Sequence, residues 1–290
     1  MDVSASPANE RLRGILLIVL AAVLFAGIDA FSKLLAPTQS VGQIVWARYT
    51  MALPLLFATT PPSRWPVMFR TAQPRLQLVR ALVPMGTSIS MVVAVRHLPL
   101  AEATVILFAA PFLVVALSAV VLRERVPAAS WIAVFVGFAA VLLVARPGFS
   151  AFSEYLIFPL IGALFFALLQ IVTRVLRMRG ESAHTTLAWT LATGSVLATP
   201  FAIATWQPVS TEGWLLMVGL GLVFGGAQGL MVRALAHAPA GVLTPFTYTQ
   251  IIAAVVIGMI VFGGVPDIWS LVGIAMIIVA GVTVARSKSP

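Results

Sequence analysis

GILLIVLAAVLFAGIDAFSKLL, residues 14–35, is a run of 22 residues in which only Asp29 and Lys33 are charged, and Arg11 and Arg13 stand just before it. A hydrocarbon core about 30 Å thick is crossed by about 20 apolar residues in an α-helix, so this run is long enough to span a bilayer. A cleaved secretion signal has a shorter apolar core, roughly 7 to 15 residues, and is not followed by further spans. Residues 14–35 therefore read as a first, retained membrane helix.

Working outward, nine more runs qualify, at 43–60, 76–95, 100–122, 128–145, 155–176, 185–205, 213–233, 240–262 and 268–285. The stretches between them carry helix breakers: Pro61-Pro62, Pro127, Pro147-Gly148, Gly180, Pro208, Pro239 and Pro266. The second run is short and the seventh rich in Thr, so those two are the least marked. Composition agrees with lipid as the solvent. The chain is 60% hydrophobic and 9% charged, against about 45–50% and 25% for an ordinary soluble domain. A net charge of +9 would suggest nucleic acid in a soluble protein. Here Lys and Arg punctuate apolar runs, which makes anionic headgroups the expected partner and excludes nucleic acid. The absence of Cys excludes disulfides and thiolate chemistry.

Loop charge sets the orientation, because Lys and Arg are retained on the cytoplasmic side. With the N-terminus inside, Arg11, Arg13, Arg64, Arg70, Arg75, Arg80, Arg123, Arg125, Arg174, Arg177, Arg179, Arg233, Arg286 and Lys288 fall at cytoplasmic ends, while Lys33, Arg96 and Arg146 fall at outer ends. Both termini are thus expected in the cytoplasm and the number of spans even. An internal repeat is also visible. A shift of 140 residues superimposes Leu24-Phe25 on Leu164-Phe165, His97 and Pro99 on His237 and Pro239, Thr104 on Thr244, and Val144-Ala145-Arg146 on Val284-Ala285-Arg286. Each half, 1–146 and 147–290, then holds five spans. An odd number forces the second half to lie inverted, as in many secondary transporters, with a site near the midplane. The expected fold is all-α, ten transmembrane helices in two inverted five-helix repeats, which together form one transport domain.

The stretch from Ala101 to Pro111 (AEATVILFAAP), continuing to Leu122-Arg-Glu-Arg-Val-Pro127, resembles the recurrent segment of the EamA family in the drug/metabolite transporter superfamily. Thr244-Pro-Phe-Thr-Tyr-Thr-Gln250 followed by Phe262-Gly-Gly-Val-Pro-Asp-Ile-Trp269 is similar to the matching segment of its second repeat, especially in YddG-type amino-acid exporters. The resemblance implies a ten-helix inverted-repeat transporter of the bacterial inner membrane with a central cavity, exporting amino acids. One departure is Gly264, where such families often carry Glu; the first-half counterpart Glu124 is present and is expected to be structural.

Ionisable side chains at mid-bilayer cost about 2.5 to 3.5 kcal/mol, so each needs a reason. Asp29 and Lys33 share a helix face. They form either a local pair, with Lys33 reaching the outer headgroups, or a pair lining a cavity and meeting a zwitterion. Trp46, Arg48 and Tyr49 either belong to an interfacial belt or bind substrate, Arg48 holding a carboxylate by its fork. Glu102, at the same outer level, could neutralise Arg96 or Arg48 as readily as receive substrate. In the second half the intramembrane polar residues are uncharged, among them Gln170, Thr173, Trp189, Gln228, Thr244, Tyr248 and Gln250, and ordinary helix-to-helix hydrogen bonding accounts for most. With Phe108 and Phe165 they suggest a cavity for neutral or aromatic amino acids. Gly221, Gly225 and Gly229 form a small-residue stripe suited to close packing. Pro84, Pro111, Pro159 and Pro245 offer points of bending.

No zinc-protease His pair, Gly-x-Ser-Gly or membrane aspartate pair is present, so an enzyme is not expected, nor a cofactor or metal. A channel would need a filter loop or charged ring, and a receptor or scaffold would not need duplication. The expectation is a secondary transporter working as a single chain by alternating access, by facilitated export or exchange, with nucleosides, sugar phosphates or drugs as the alternative substrates.

Overall fold

The structure, a computed structural model, describes residues 7–121, 128–145, 153–238 and 240–287. The segment from Leu122 to Pro127, with Arg123, Glu124 and Arg125, and also Arg146, Pro147, Gly148, Pro239 and Lys288, all discussed above, lie outside these. Among the described residues all regular structure is helical. In chain order the α-helices are α1 (Pro7–Leu35), α2 (Val41–Thr50), α3 (Leu53–Thr59), α4 (Trp65–Met68), α5 (Pro74–His97), α6 (Leu100–Leu107), α7 (Ala110–Val121), α8 (Ala128–Ala145), α9 (Ile157–Met178), α10 (Ala183–Ala204), α11 (Thr211–His237), α12 (Ala240–Thr247), α13 (Thr249–Phe262) and α14 (Ile268–Ser287). Among the described residues, seven helical stretches are long and apolar enough to cross a membrane: Asn9–Leu35, Pro74–His97, Leu100–Leu117, Glu154–Met178, Ala183–Ala204, Thr211–His237 and Val242–Phe262. Val134–Val144 and Ile268–Val282 are shorter apolar helices. The second expected run is not one helix but the pair α2 and α3.

Proline explains two of the breaks, those that end α2 and α6. Its nitrogen has no hydrogen to donate to the carbonyl four residues back. Pro54 leaves Thr50 without that bond, and α2 ends at Thr50; Pro111 does the same to Leu107, where α6 ends. In α12 the Thr247 hydroxyl donates to the Thr244 carbonyl at 2.7 Å, and the helix is interrupted at Tyr248. Pro159 falls in the first turn of α9, where no intrahelical bond is lost. Pro84 and Pro200 stay inside unbroken helices.

Adding 140 to its residue numbers carries α6 onto α12, and carries the interruption at Phe108 onto the one at Tyr248. These two side chains meet, ring centroids 5.2 Å apart. The packing follows the same shift. Helix α1 lies along α11, and α9 along α5; α2 packs on α10, and α8 on α14. Exchanging each helix for its counterpart turns the first pair into the second and leaves the other two unchanged.

Large apolar side chains also point outward, Phe135 at 71% and Ile260 at 78% exposure among them, as expected of surfaces that face lipid tails. Inside, small residues set the helix spacing. On α11, a Cβ at Gly221 would stand 2.6 Å from the Met51 carbonyl carbon and 2.9 Å from the Ala52 nitrogen, so this glycine receives the backbone of the α2–α3 break. Backbone cannot swing aside as a side-chain tip can. Gly229, on the same stripe, has nothing within 4 Å. Gly221→Ala should therefore cost about 1–3 kcal/mol of stability, whereas Gly229→Ala should be neutral or gain up to about 1 kcal/mol of helix propensity. Thermal unfolding in detergent checks this; equal melting temperatures for the two variants would contradict the packing described.

Candidate functional site

Helix α2 starts on a capping box: the Gln43 backbone N–H donates to the Ser40 hydroxyl, and the Ser40 backbone N–H to the Gln43 side chain. The helix then runs into the bundle and stops at Thr50, which places Arg48 and Tyr49 in its last turn, both buried. The Arg48 guanidinium bridges two neighbouring helices. Its Nη1 donates to Ser88 of α5 at 3.0 Å and its Nη2 to Ser32 of α1 at 2.9 Å. Asp29, one turn before Ser32, has its carboxylate 4.0 Å from Nη2. That is an ion pair without a hydrogen bond. Arg48 Nε is buried and has no hydrogen-bond partner. Nε is thus the one guanidinium nitrogen left without a bond, on the same edge as the Nη2 that serves Ser32, and guanidinium edges of this kind take planar carboxylates with two parallel bonds. Tyr49 closes the site from the α10 side: its hydroxyl lies 3.1 Å from Ser88 Oγ, and its ring packs edge-on against Phe224 and over Gly194.

A second guanidinium enters the bundle from α5. Arg80 Nε donates to Thr173 of α9 at 3.2 Å, and Nη1 donates to Thr190 and, at 3.4 Å, to the Thr186 carbonyl on α10. The sequence places Arg80 among the loop charges at a cytoplasmic end; the structure turns it inward between α9 and α10.

The two ends of the bundle are tied by polar fastenings. At one end, buried Gln43 donates to Gln39 and to the Gln207 carbonyl at 2.9 and 2.8 Å, and accepts from the Gln207 N–H at 2.9 Å. At the other, Glu181 accepts from the Thr71 hydroxyl (2.7 Å), the Ala72 N–H (2.9 Å) and Gln77 (3.1 Å). Open grooves lie at both ends, one of about 470 Å³ lined by Arg70, Thr71, Glu181 and Thr185, one of about 280 Å³ lined by His97, Glu102, Ser153 and Asp267. Neither is lined by Arg48.

The model of the EamA-like transporter family matches residues 12–146 and, a second time, residues 153–286. The chain belongs to the EamA-like transporter family. Among its relatives, a pseudopaline exporter of Pseudomonas aeruginosa is 28% identical over 95% of this chain and 96% of its own length. A riboflavin transporter of Vibrio cholerae is 26% identical over 97% and 96%. An S-adenosylmethionine uptake transporter of Rickettsia prowazekii is 22% identical over 76% and 74%. One solved crystal structure, 17% identical, covers 95% of this chain and 99% of its own with a TM-score of 0.66, which shows the fold. Its apolar helices and these bacterial relatives make this EamA protein a multi-pass protein of the inner membrane.

Within this family member, the residues singled out in the sequence fall into three groups. Asp29, Arg48 and Tyr49 come together around Ser32 and Ser88. Phe108 and Tyr248 meet at the two helix breaks, with the Tyr248 hydroxyl buried against Gly281; Thr244 lies one turn earlier on α12, and Phe165 packs over Gly86 of α5. The rest sit at the ends. Lys33 donates to the Leu98 carbonyl at 2.5 Å and lies over the Phe262 ring. Trp46 joins Trp206 and Trp214. Trp189 donates to the Phe69 carbonyl at 3.0 Å. Sequence reading missed Ser32, Ser88 and the Arg80 contacts. A signal existed: Gln77, Arg80, Pro84 and Ser88 recur at three and four residues, one stripe along α5.

Slight burial works against the Glu181 charge, but hydrogen bonds from Thr71, Gln77 and the backbone of Ala72 and Gln73 outweigh it and hold the carboxyl below its usual range. With the folded value depressed, this fastening is fully present above the ordinary Glu value, about 4.3, and is lost as pH falls through the folded one. Exchange at the Ala72 amide, normalised for intrinsic pH dependence, should stay slow from pH 7 to 5 and quicken toward pH 3; Glu181→Gln should flatten that profile. A pH-independent rate in the unmodified protein would contradict the assignment.

Proposed function

We propose that this EamA protein is a secondary transporter that exports a small metabolite with an α-amino carboxylate, neutral or aromatic amino acids first, by alternating access. The observation that carries the reading is the unpaired Nε of buried Arg48, with Asp29 4.0 Å from the neighbouring Nη2, two opposite charges set for the two ends of a zwitterion. In this reading the substrate carboxylate takes the Nε/Nη2 edge and its ammonium approaches Asp29. Tyr49 and Ser88 orient the guanidinium. Phe108, Phe165, Thr244 and Tyr248 line the apolar side of the path, while Lys33, Trp46 and Trp189 hold its ends. Two relatives give the chemistry some support: one is named for export, and S-adenosylmethionine, carried by another, itself has an α-amino carboxylate. Because the Asp29 and Arg48 charges cancel, substrate exchange needs no accompanying proton.

The path runs between two inverted five-helix repeats, 1–146 and 147–290, across ten spans with both termini in the cytoplasm. What supports this is the family model matching twice, the exchange of helix pairs under the 140-residue shift, and the segregation of contacts. Thr60 meets His184 at the Arg-rich end, whereas Gln43 meets Gln207 at the other, so α2 and α3 together pass from end to end. A single Cys introduced after Arg286, in a chain with no Cys of its own, should be protected from impermeant maleimide in intact cells; labelling from outside would overturn this topology.

Counterflow in proteoliposomes, at equal pH and zero potential, tests the transport reading. Labelled phenylalanine or another neutral amino acid should exchange. Arg48→Ala leaves a buried Asp29 unpaired, so the charge-balanced double variant Asp29→Asn/Arg48→Gln is the better probe; it should fold and lose about 100-fold or more of the flux, the value of two charge-assisted hydrogen bonds. A second reading, a ring-bearing neutral compound, is favoured by the riboflavin-transporting relative and the Phe108–Tyr248 pair, and riboflavin belongs in the same assay. Absence of exchange for any amino acid would remove the α-amino carboxylate from the proposal.

A further inference from the structure

We propose that Arg80 is a second anion-binding point on the path, which receives the substrate's carboxylate from the end marked by Arg70 and Glu181 and hands it toward Arg48. The proposal rests on the transport reading for the handover, but not for the anion site itself.

Arg80 is the seventh residue of α5, so its Cα stands about 9 Å inside the helix start. All its hydrogen-bond partners are neutral: the hydroxyls of Thr173 and Thr190 and the carbonyl of Thr186. The titratable groups whose fields act on it are Tyr49 and Arg177, a phenol and a like charge. Among the described residues no carboxylate balances it, in contrast to Arg48 with Asp29. A cation inside a membrane bundle is expensive when unpaired. Tying α9 to α10 through threonine oxygens does not in itself require a charge, since neutral donors bond to hydroxyls and carbonyls as well. The positive charge itself is therefore what needs a reason. Nη2 makes none of the hydrogen bonds described, and the residue is only partly covered by its neighbours, which leaves a donor facing reachable space.

The surroundings connect this donor in both directions. Toward the end of the bundle, Gln77 lies one turn back on α5, touching Thr186 at 3.4 Å and Glu181 at 3.1 Å, with its own Oε1 buried and unpaired. Beyond it opens the groove of about 470 Å³, whose carboxylate, Glu181, is turned to Thr71, Ala72 and Gln77. Toward the middle, Tyr49 feels both guanidinium groups and touches Ser88, which holds Arg48. Arg80 and Ser88 are eight residues apart on one helix, about 12 Å. Arg80 and the Arg48 guanidinium held at Ser88 thus follow one another along α5 as successive weak stations for an anion, which allows entry without trapping.

The probe for the site is benzoate, an aromatic carboxylate, with phenethylamine as its counterpart lacking the carboxylate. Benzoate should raise the melting temperature of the whole protein in detergent and phenethylamine should not. Arg80→Gln should weaken the apparent benzoate affinity about tenfold or more, while Arg80→Lys, which keeps the charge, should stay within about threefold. Thr190→Val keeps shape and frees a donor of Arg80, so benzoate should bind as well or better; a merely structural Arg80 would show no anion dependence in any of these. Benzoate binding to a folded Arg80→Gln protein as to the unmodified one would overturn the proposal. If amino acids fail to exchange but benzoate binding follows Arg80, the anion site stands and the transport reading falls. If phenylalanine exchanges with unchanged half-saturation on both faces in Arg80→Gln, the transport reading stands and the second station falls.

Discussion

Lipid tails offer no hydrogen bond, and everything polar in this chain is arranged around that constraint. Backbone groups must be satisfied within helices, and the few side chains that carry charge or hydroxyls inside the bundle must find one another. Arg48 shows the consequence most plainly. Ser32 and Ser88 take its Nη groups from two different helices, and Asp29 balances its charge. Three helices are thereby held in register by one side chain. Among the described residues, the buried bonds that remain unmade, at Arg48 Nε, Gln77 Oε1, the Tyr248 hydroxyl and the Ser270 hydroxyl, are unmade in a setting where a lost bond is costly.

Helix existence was legible because it depends on composition over about 20 residues, an average that survives any single exception. The seventh run, unpromising for its Thr content, forms the unbroken α10, and there the threonines serve the structure: Thr190 and Thr186 return bonds to carbonyls of their own helix or its cap while presenting oxygen to Arg80. What hydropathy could not supply was direction. Arg80 looks like a loop charge because it lies six residues into a helix, and an average taken along the chain does not register that Gln77, Arg80 and Ser88 share one face. Ser32 and Ser88 were equally invisible, since a serine in an apolar helix ordinarily bonds its own backbone, as the Ser32 hydroxyl does to the Ile28 carbonyl at 2.8 Å. Only the approach of Arg48 from another helix gives it a second role. Lys33 and Trp189, by contrast, sit where the polar tip of a long amphipathic side chain reaches past the apolar layer.

Helices broken near their middle are affordable only where something replaces the lost bonds. At Phe108 the amide still reaches the Thr104 and Val105 carbonyls at 3.1 Å, and at Tyr248 the Thr247 hydroxyl occupies the Thr244 carbonyl. The two interruptions face each other through their rings, and Gly281 leaves the space that the Tyr248 hydroxyl fills. Breaks at corresponding places in two halves, in contact with each other, give both halves the same compliant point.

The polar fastenings at the two ends differ in kind, and that difference bears on which end yields. Gln43 is neutral, fully buried, and makes reciprocal bonds with the Gln207 backbone, so breaking it exposes several unsatisfied groups at once. Glu181 is ionised, near water, and bound to a loop hydroxyl and a loop amide that solvent can satisfy instead. Opening costs less where water can take over the bonds. The Glu181 end also carries Arg70, Arg75, Arg177 and Arg179, a density of positive charge that draws anions toward the groove from outside. The end that attracts anions is thus also the end whose fastening is the easier to release, because its bonds lie where water reaches them.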